Sequence, residues 1–290
     1  MARIYALLTL VVFFWAINFV IARIALREFP SLLAASIRAC LAGLILLPVY
    51  LWKGRQYDKE PWTLSDVPRL FILGVFGVTF NQALFLLGLE RTSTPHAAII
   101  AGMLPIQVLI ISSFLGIETL SMRRLTGMGI ALSGVAVLQL ARDTGGHPAT
   151  LLGDLFILLS GTAFAMFAVF GKKVTAKHGA LTVNTFAFLG GGSLLIPVII
   201  WQSAGFDYSR VSTGAWLSIL YMALFPSVIA YLIFYYALTH IAASRVSTFG
   251  YLQPLMAMLL GLWLLGDQLT ATLVAGGAVV LTGVFLTERA

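Results

Sequence analysis

The stretch "ALTHIAASRVSTFGYLQP" at residues 237–254 has a counterpart 149 positions earlier, "GLERTSTPHAAIIAGMLP" at 88–105. Each opens on small or apolar residues, crosses a short polar patch, enters an apolar run and meets a proline inside it. Proline lacks a backbone N–H and its ring crowds the carbonyl four residues back, so it opens the helix that holds it. The same break at one offset points to a duplicated unit.

The offset runs along almost the whole chain. It pairs Pro48 with Pro197, Trp52 with Trp201, Pro105 with Pro254 and Glu118 with Asp267, as well as Gly127 with Gly276 and Gly134 with Gly283, without a gap. Arg23 falls opposite Lys172 and Trp15 opposite Phe164. Residues 1–141 and 150–290 therefore read as two copies of one unit, joined by a short polar linker at 142–149.

Composition identifies the solvent. Of the 290 residues 60% are hydrophobic and only 10% charged, against about 25% charged in soluble domains. A membrane-spanning helix needs about 20 apolar residues, and the chain supplies roughly ten such runs, near 4–24, 31–52, 67–89, 95–115, 122–140, 152–172, 181–201, 213–236, 245–265 and 270–287. The first run, behind Arg3, reads as a retained helix, being longer than the core of a signal peptide and lacking a clear cleavage site. The expected fold is an all-α membrane protein of ten transmembrane helices. Five spans per unit insert the second copy upside down, which makes an inverted repeat of the kind that builds many secondary transporters.

The net charge of +7 does not point to nucleic acid. Counted by side of the membrane, twelve Lys and Arg fall with the N-terminus and alternate loops against five on the other side, with Arg38 inside the second span. That is the positive-inside bias and predicts that both termini are cytoplasmic. Cys40, the sole cysteine, excludes a disulfide within the chain.

Three segments carry a resemblance. "FFWAINFVIARIAL" followed by "LAASIRACLAGLILLP" is similar to the opening of EamA-type proteins of the drug/metabolite transporter superfamily. "LGLERTSTPHAAIIAGMLPIQVLIISSFLGIETLSMRRLTGMGIALSGVAVL" resembles the end of one EamA unit, and "ALTHIAASRVSTFGYLQPLMAMLLGLWLLGDQLTATLVAGGAVVLTGVFL" resembles the second copy. The likeness spans essentially the whole chain. It implies ten helices, cytoplasmic ends and transport of small metabolites, and within the family it is greatest to bacterial amino-acid exporters, including those of the YddG type for aromatic amino acids. The chain departs from the family pattern at Asp267, where Glu118 keeps the acidic residue as glutamate, and at Arg23, where lysine is usual.

Candidate binding residues follow from polarity at depth. Pro105 and Pro254 fall mid-span and free the carbonyls of Ala101 and Gly250, which must find partners or line a wet cavity; a packed structural kink is the alternative. Asn81 and Phe85 share a helical face, with Gln82 beside them. Trp15 and Asn18 do so in the first span, Phe164 in the sixth, and Tyr231 and Tyr235 in the eighth. Tyr251 lies one turn before Pro254, and Met103 just before Pro105. Buried amides need partners, so Asn18, Asn81, Gln82, Gln107 and Gln253 face either the cavity or a neighbouring helix. His96 and Arg245 share a repeat position near the membrane faces, as entrance residues or interfacial anchors. Arg38, the one charge inside a span, either attracts a substrate carboxylate or plays a structural part.

A cavity walled by aromatic rings and amides suits an amphipathic solute: an amino acid, or an organic cation held by cation–π contact. The expected function is export of small metabolites, amino acids first, across the bacterial inner membrane by alternating access, with multidrug or organic-cation efflux as the alternative. No acidic residue falls at mid-span, which favours gradient-driven efflux or exchange over proton antiport. The expected partners are the substrate and the lipid bilayer; no cofactor, metal or nucleic acid is expected. The histidines are scattered near loops and no catalytic motif occurs, which argues against an enzyme. Small residues stripe the fifth and tenth spans, which favours packing within one chain, and so a monomer over a dimer.

Overall fold

The computed structural model describes residues 2–57, 60–140, 150–253, 255–256 and 271–289. Pro254, Asp267, the linker 142–149 and the far half of the ninth expected span lie outside the described residues, as does the His96 side chain. The described residues form helices and turns, with no strand among them. In a bilayer every backbone N–H and C=O must be satisfied internally, and a helix does so within one segment. Among the described residues, six helices are long and apolar enough to cross a membrane.

The order is α1 (Ala2–Ala25), α2 (Ser31–Tyr57), α3 (Val67–Gly74), α4 (Asn81–Arg91), α5 (Thr94–Ala101), α6 (Leu104–Phe114) and α7 (Met122–Leu140). Then come α8 (Leu151–Ser193), α9 (Ile196–Ser203), α10 (Thr213–Met222), α11 (Ala230–Leu238), α12 (Ala243–Thr248) and α13 (Ala271–Glu288). A π-helical segment, Val75–Phe80, joins α3 to α4, and a second, Ala223–Ile229, joins α10 to α11. A 3-10 turn, Phe249–Tyr251, extends α12.

The breaks have identifiable causes. Pro105 does not kink a continuous helix: α5 ends at Ala101, and Pro105 stands at the start of α6, where its missing N–H would be unsatisfied anyway. Pro197 starts α9 in the same way. The 43 residues of α8 would measure about 65 Å at 1.5 Å per residue, twice the hydrocarbon thickness, so α8 is two segments. The bend is at Gly179, with φ 80° and ψ 158°, a conformation only glycine adopts readily. The polar string 172–178 is itself helical, so the turn comes later than the charges suggest.

Lipid tails are as apolar as leucine, so membrane helices associate through close packing and hydrogen bonds rather than hydrophobic burial. The pairing of α7 with α13 shows the packing. A Cβ on Gly283 would lie 2.3 Å from the Ala131 backbone nitrogen, and one on Gly127 would lie 2.8 Å from that of Thr287. Only glycine permits this approach. Hydrogen bonds tie the loops: the Glu28 carboxylate accepts from the Ser212 N–H at 2.6 Å and its hydroxyl at 2.7 Å, fastening the α1–α2 turn to the N-cap of α10. Glu118, beyond α6, accepts from the Ser244 N–H at 3.3 Å and from its hydroxyl. It thereby caps the positive end of α12.

Candidate functional site

A cavity of ≈ 120 Å³ lies among α1, α2, α4, α8 and α11, and residues from both halves of the chain line it. One water needs about 10–15 Å³ of such space, so it holds on the order of ten waters. Aromatic walls come from Trp15, Phe19, Phe85, Phe164 and Tyr231, and polar groups from Asn18, Arg38, Asn81, Gln82, Ser160 and Gln253. The helix break before Pro105 gives Ala101 and Leu104 to the wall, and Gly250 and Gln253 come from the corresponding part of the second half.

The π-helical segments organise this wall. They occupy the same repeat position, since shifting Val75–Phe80 by 149 lands on residues 224–229. Gly77 is thereby matched to Pro226. A π-turn leaves carbonyls outside the regular ladder, and here each matched carbonyl is bound by a side chain from the opposite half. Trp15 Nε1 donates to the Pro226 carbonyl at 3.2 Å. The Tyr231 hydroxyl lies 2.9 Å from the Gly77 carbonyl and 3.0 Å from Asn81 Oδ1, its proton shared between them. Asn81 Nδ2 donates to the carbonyl and hydroxyl of Ser160, both at 3.1 Å. The donors are also packed as aromatics: Trp15 meets Phe164 edge-on at 5.5 Å, and Phe164 meets Tyr231 at 5.4 Å.

A second matched pair of bonds joins repeat-equivalent residues. Arg23 donates to the Thr92 carbonyl at 2.6 Å, and Lys172 to the Ile241 carbonyl at 2.8 Å, each pair 69 residues apart. Arg23 and Lys172 are repeat equivalents, as are Thr92 and Ile241. Both halves thus use a cation on the first helix to hold the carbonyl just before the broken fourth one.

Comparison with known proteins now identifies the lineage. The profile of the EamA-like transporter family matches twice, over residues 2–140 and 151–289. The chain belongs to the EamA-like transporter family. Similar proteins include an uncharacterized transporter of Archaeoglobus fulgidus, 29% identical over 98% of both chains. Others are the uncharacterized transporter YetK of Bacillus subtilis, 26% identical over 92% of this chain and 81% of that one, and the uncharacterized inner membrane transporter YedA of Escherichia coli, 27% identical over 88% and 81%. A solved crystal structure superposes with a TM-score of 0.78 at 17% identity, covering all of this chain and 97% of that one, a likeness of fold alone. The protein is a multi-pass membrane transporter, and family and relatives alike are named for transport rather than catalysis.

Within this EamA fold, seven residues singled out from sequence line the cavity: Trp15, Asn18, Asn81, Gln82, Phe85, Phe164 and Tyr231. Four others lie off its wall. Pro105 is buried at the start of α6, with Met103 in the turn before it. The Tyr235 hydroxyl donates to the Phe167 carbonyl at 2.9 Å, and its ring fills the space beside Gly171. Tyr251 is fully buried with Leu109, Met128 and Val280. Gly250 and Gln253, three apart, hold the cavity face, and their neighbour Tyr251 is thrown about 100–120° around the helix. Pro254 lies outside the described residues. Gln107 bonds the Leu158 carbonyl and the Thr162 hydroxyl, joining α6 to α8. Sequence reasoning missed Phe19, Leu104, Ile157, Ser160 and Gly161. The adjacent Ser160 and Gly161, polar and small in an apolar run, were the available signal.

Proposed function

We propose that this EamA-like protein is a secondary transporter that exports small amphipathic metabolites, aromatic and other neutral amino acids first, across the bacterial inner membrane. In this reading residues 1–141 and 150–290 are two inverted five-helix repeats joined by 142–149. Ten spans cross the bilayer, and both termini are cytoplasmic. The reading rests on the reciprocal bonding at the cavity: Trp15 of the first half holds Pro226 of the second, and Tyr231 of the second holds Gly77 of the first. A binding site stitched across a pseudo-symmetric interface is the arrangement alternating access requires, because rocking one half against the other reshapes the wall from either side.

Trp15, Asn18, Asn81, Gln82, Phe85, Phe164 and Tyr231 contact the substrate in this scheme, rings taking its apolar body and amides its hydrogen-bonding groups. Transport is gradient-driven efflux or exchange. Packing of α7 on α13 uses the small-residue faces within one chain, which supports a monomer. Counterflow of labelled phenylalanine and leucine in proteoliposomes tests the proposal. Uptake driven by unlabelled amino acid inside, and reduced by Asn81→Ala, is the expected result. Movement of a lipophilic organic cation without any amino acid would replace it with the drug-efflux alternative.

A further inference from the structure

Arg38 is a guanidinium inside a membrane-embedded helix bundle, only 5% exposed, and it lines the cavity. Such a charge is costly to bury and is ordinarily paired with a carboxylate or set against water. Among the described residues no carboxylate pairs with Arg38. Its one hydrogen bond among the described residues runs from Nε to the Ser227 hydroxyl at 3.0 Å. That hydroxyl, in the second π-segment, in turn donates to the carbonyl of Met222 at the end of α10 at 2.8 Å. The chain of bonds fixes the plane of the guanidinium from behind and commits neither terminal nitrogen.

Two further side chains around the same cavity are incomplete. Gln82 is 1% exposed and lies beside the Tyr231 hydroxyl, but among the described residues neither its amide nitrogen nor its oxygen makes a hydrogen bond of normal geometry. Asn18 is 5% exposed, with Oδ1 unbonded among the described residues. A buried polar group without a partner is destabilising, and three of them around one void mark a place for a ligand. The unused donors are Arg38 Nη1 and Nη2 and Gln82 Nε2. The unused acceptors are Asn18 Oδ1 and Gln82 Oε1.

We infer that Arg38, with Asn18 and Gln82, forms the anion subsite of the cavity, taking a substrate carboxylate on the guanidinium fork. The inference rests on the cavity being the substrate site and adds what that reading leaves open, a demand for negative charge. Paired nitrogens match the two oxygens of a carboxylate. The amide oxygens of Asn18 and Gln82 accept from an adjacent ammonium or hydroxyl. Simple organic cations are repelled, so the subsite separates zwitterionic and anionic metabolites from cationic drugs.

The test is binding and counterflow with L-phenylalanine, L-leucine and their carboxamides, which keep the side chain and amine but lack the carboxylate. Quenching of Trp15 fluorescence reports occupancy, with Trp15→Phe as the blank. The wild-type protein should prefer the acids by about ten- to a hundred-fold, the range of a charge-assisted hydrogen-bonded pair. Arg38→Gln should erase that ratio by weakening the acids while sparing the amides, and Arg38→Lys should keep part of it. If Arg38→Gln does not fold, the wild-type ratio and the Arg38→Lys protein still decide. Amides bound as tightly as acids by the wild-type protein, with Asn81→Ala weakening both, would overturn the subsite and leave the cavity standing. No response of Trp15 to any of the four probes would overturn both.

Discussion

Tyr231→Phe removes one oxygen atom from the centre of the bundle and leaves the ring, so it isolates the hydrogen bonds from the packing. The lost hydroxyl donates to the Gly77 carbonyl at 2.9 Å and to Asn81 Oδ1 at 3.0 Å, and Tyr231 is 2% exposed. The Gly77 carbonyl lies off the cavity wall and gains no water in exchange, whereas Asn81 Oδ1 faces the cavity. An orphaned buried acceptor costs about 1–3 kcal/mol, whereas hydrogen bonds between membrane helices average about 0.6 and reach about 1.7 kcal/mol. One shared proton is lost, and the acceptor left dry is the π-segment carbonyl of Gly77. The loss therefore falls near the upper end, about 1–2 kcal/mol. At roughly 2–4 °C per kcal/mol this lowers the unfolding midpoint of the purified protein by about 2–8 °C. Thermal unfolding in detergent measures it, with Tyr236→Phe as control, because Tyr236 is 46% exposed and its hydroxyl bonds nothing within the described residues. Trp15→Phe, which orphans the Pro226 carbonyl, should fall in the same direction by a smaller amount. A midpoint for Tyr231→Phe within about 1 °C of the control would refute the view that reciprocal bonds to the π-segments hold the two halves together.

Other outcomes follow from the same geometry. The Ser212 N–H, and then its hydroxyl, hold the Glu28 carboxyl below its ordinary value of 4.5. A depressed carboxyl contributes stability at pH above 4.5 that is lost as pH falls through the lowered folded-state value. Glu28→Gln should flatten the acid limb of a midpoint-versus-pH curve between neutrality and pH about 3; an unchanged limb argues against the clasp. Gly283→Val places a Cβ 2.3 Å from the Ala131 backbone nitrogen, and overpacking of this kind costs about 1–3 kcal/mol. Gly129→Ala, in the same α7 but with nothing within 4 Å of the new methyl, should be neutral or gain about 0.5–1 kcal/mol. Paired thermal scans of the two variants separate contact from propensity. Tyr251→Phe removes a buried hydroxyl that has no partner among the described residues and lies away from the cavity; it should leave counterflow affinity unchanged and stability equal or higher. A fall in affinity would bring Tyr251 into the site.

The candidate site was partly legible because polarity inside an apolar helix is costly and therefore informative. Asn18, Asn81 and Gln82 stand out on those grounds alone, as do the rings spaced to share their faces. Tyr235 and Tyr251 were equally visible and lie elsewhere, because a hydroxyl in a bundle can serve a neighbouring carbonyl or be walled in by packing, and spacing along one helix does not choose between them. The π-segments left no sequence signal of their own. Gly77 and Pro226 are dissimilar residues, so although the offset of 149 pairs them, nothing in their identities announces a π-turn.

From the sequence alone came the solvent, the helical class, the duplicated unit and the break near Pro105. Each follows from local rules: apolar length, the missing N–H of proline and a constant offset along the chain. The tertiary structure decided which freed carbonyls meet which donors. It also showed that Pro105 stands at a helix start and that α8 turns at Gly179. Finally, it showed that Arg38 faces a void instead of a carboxylate. Those outcomes depend on residues up to 211 positions apart, as with Trp15 and Pro226. Contacts over such distances are set by how helices pack across the whole bundle, information that no single stretch of chain carries.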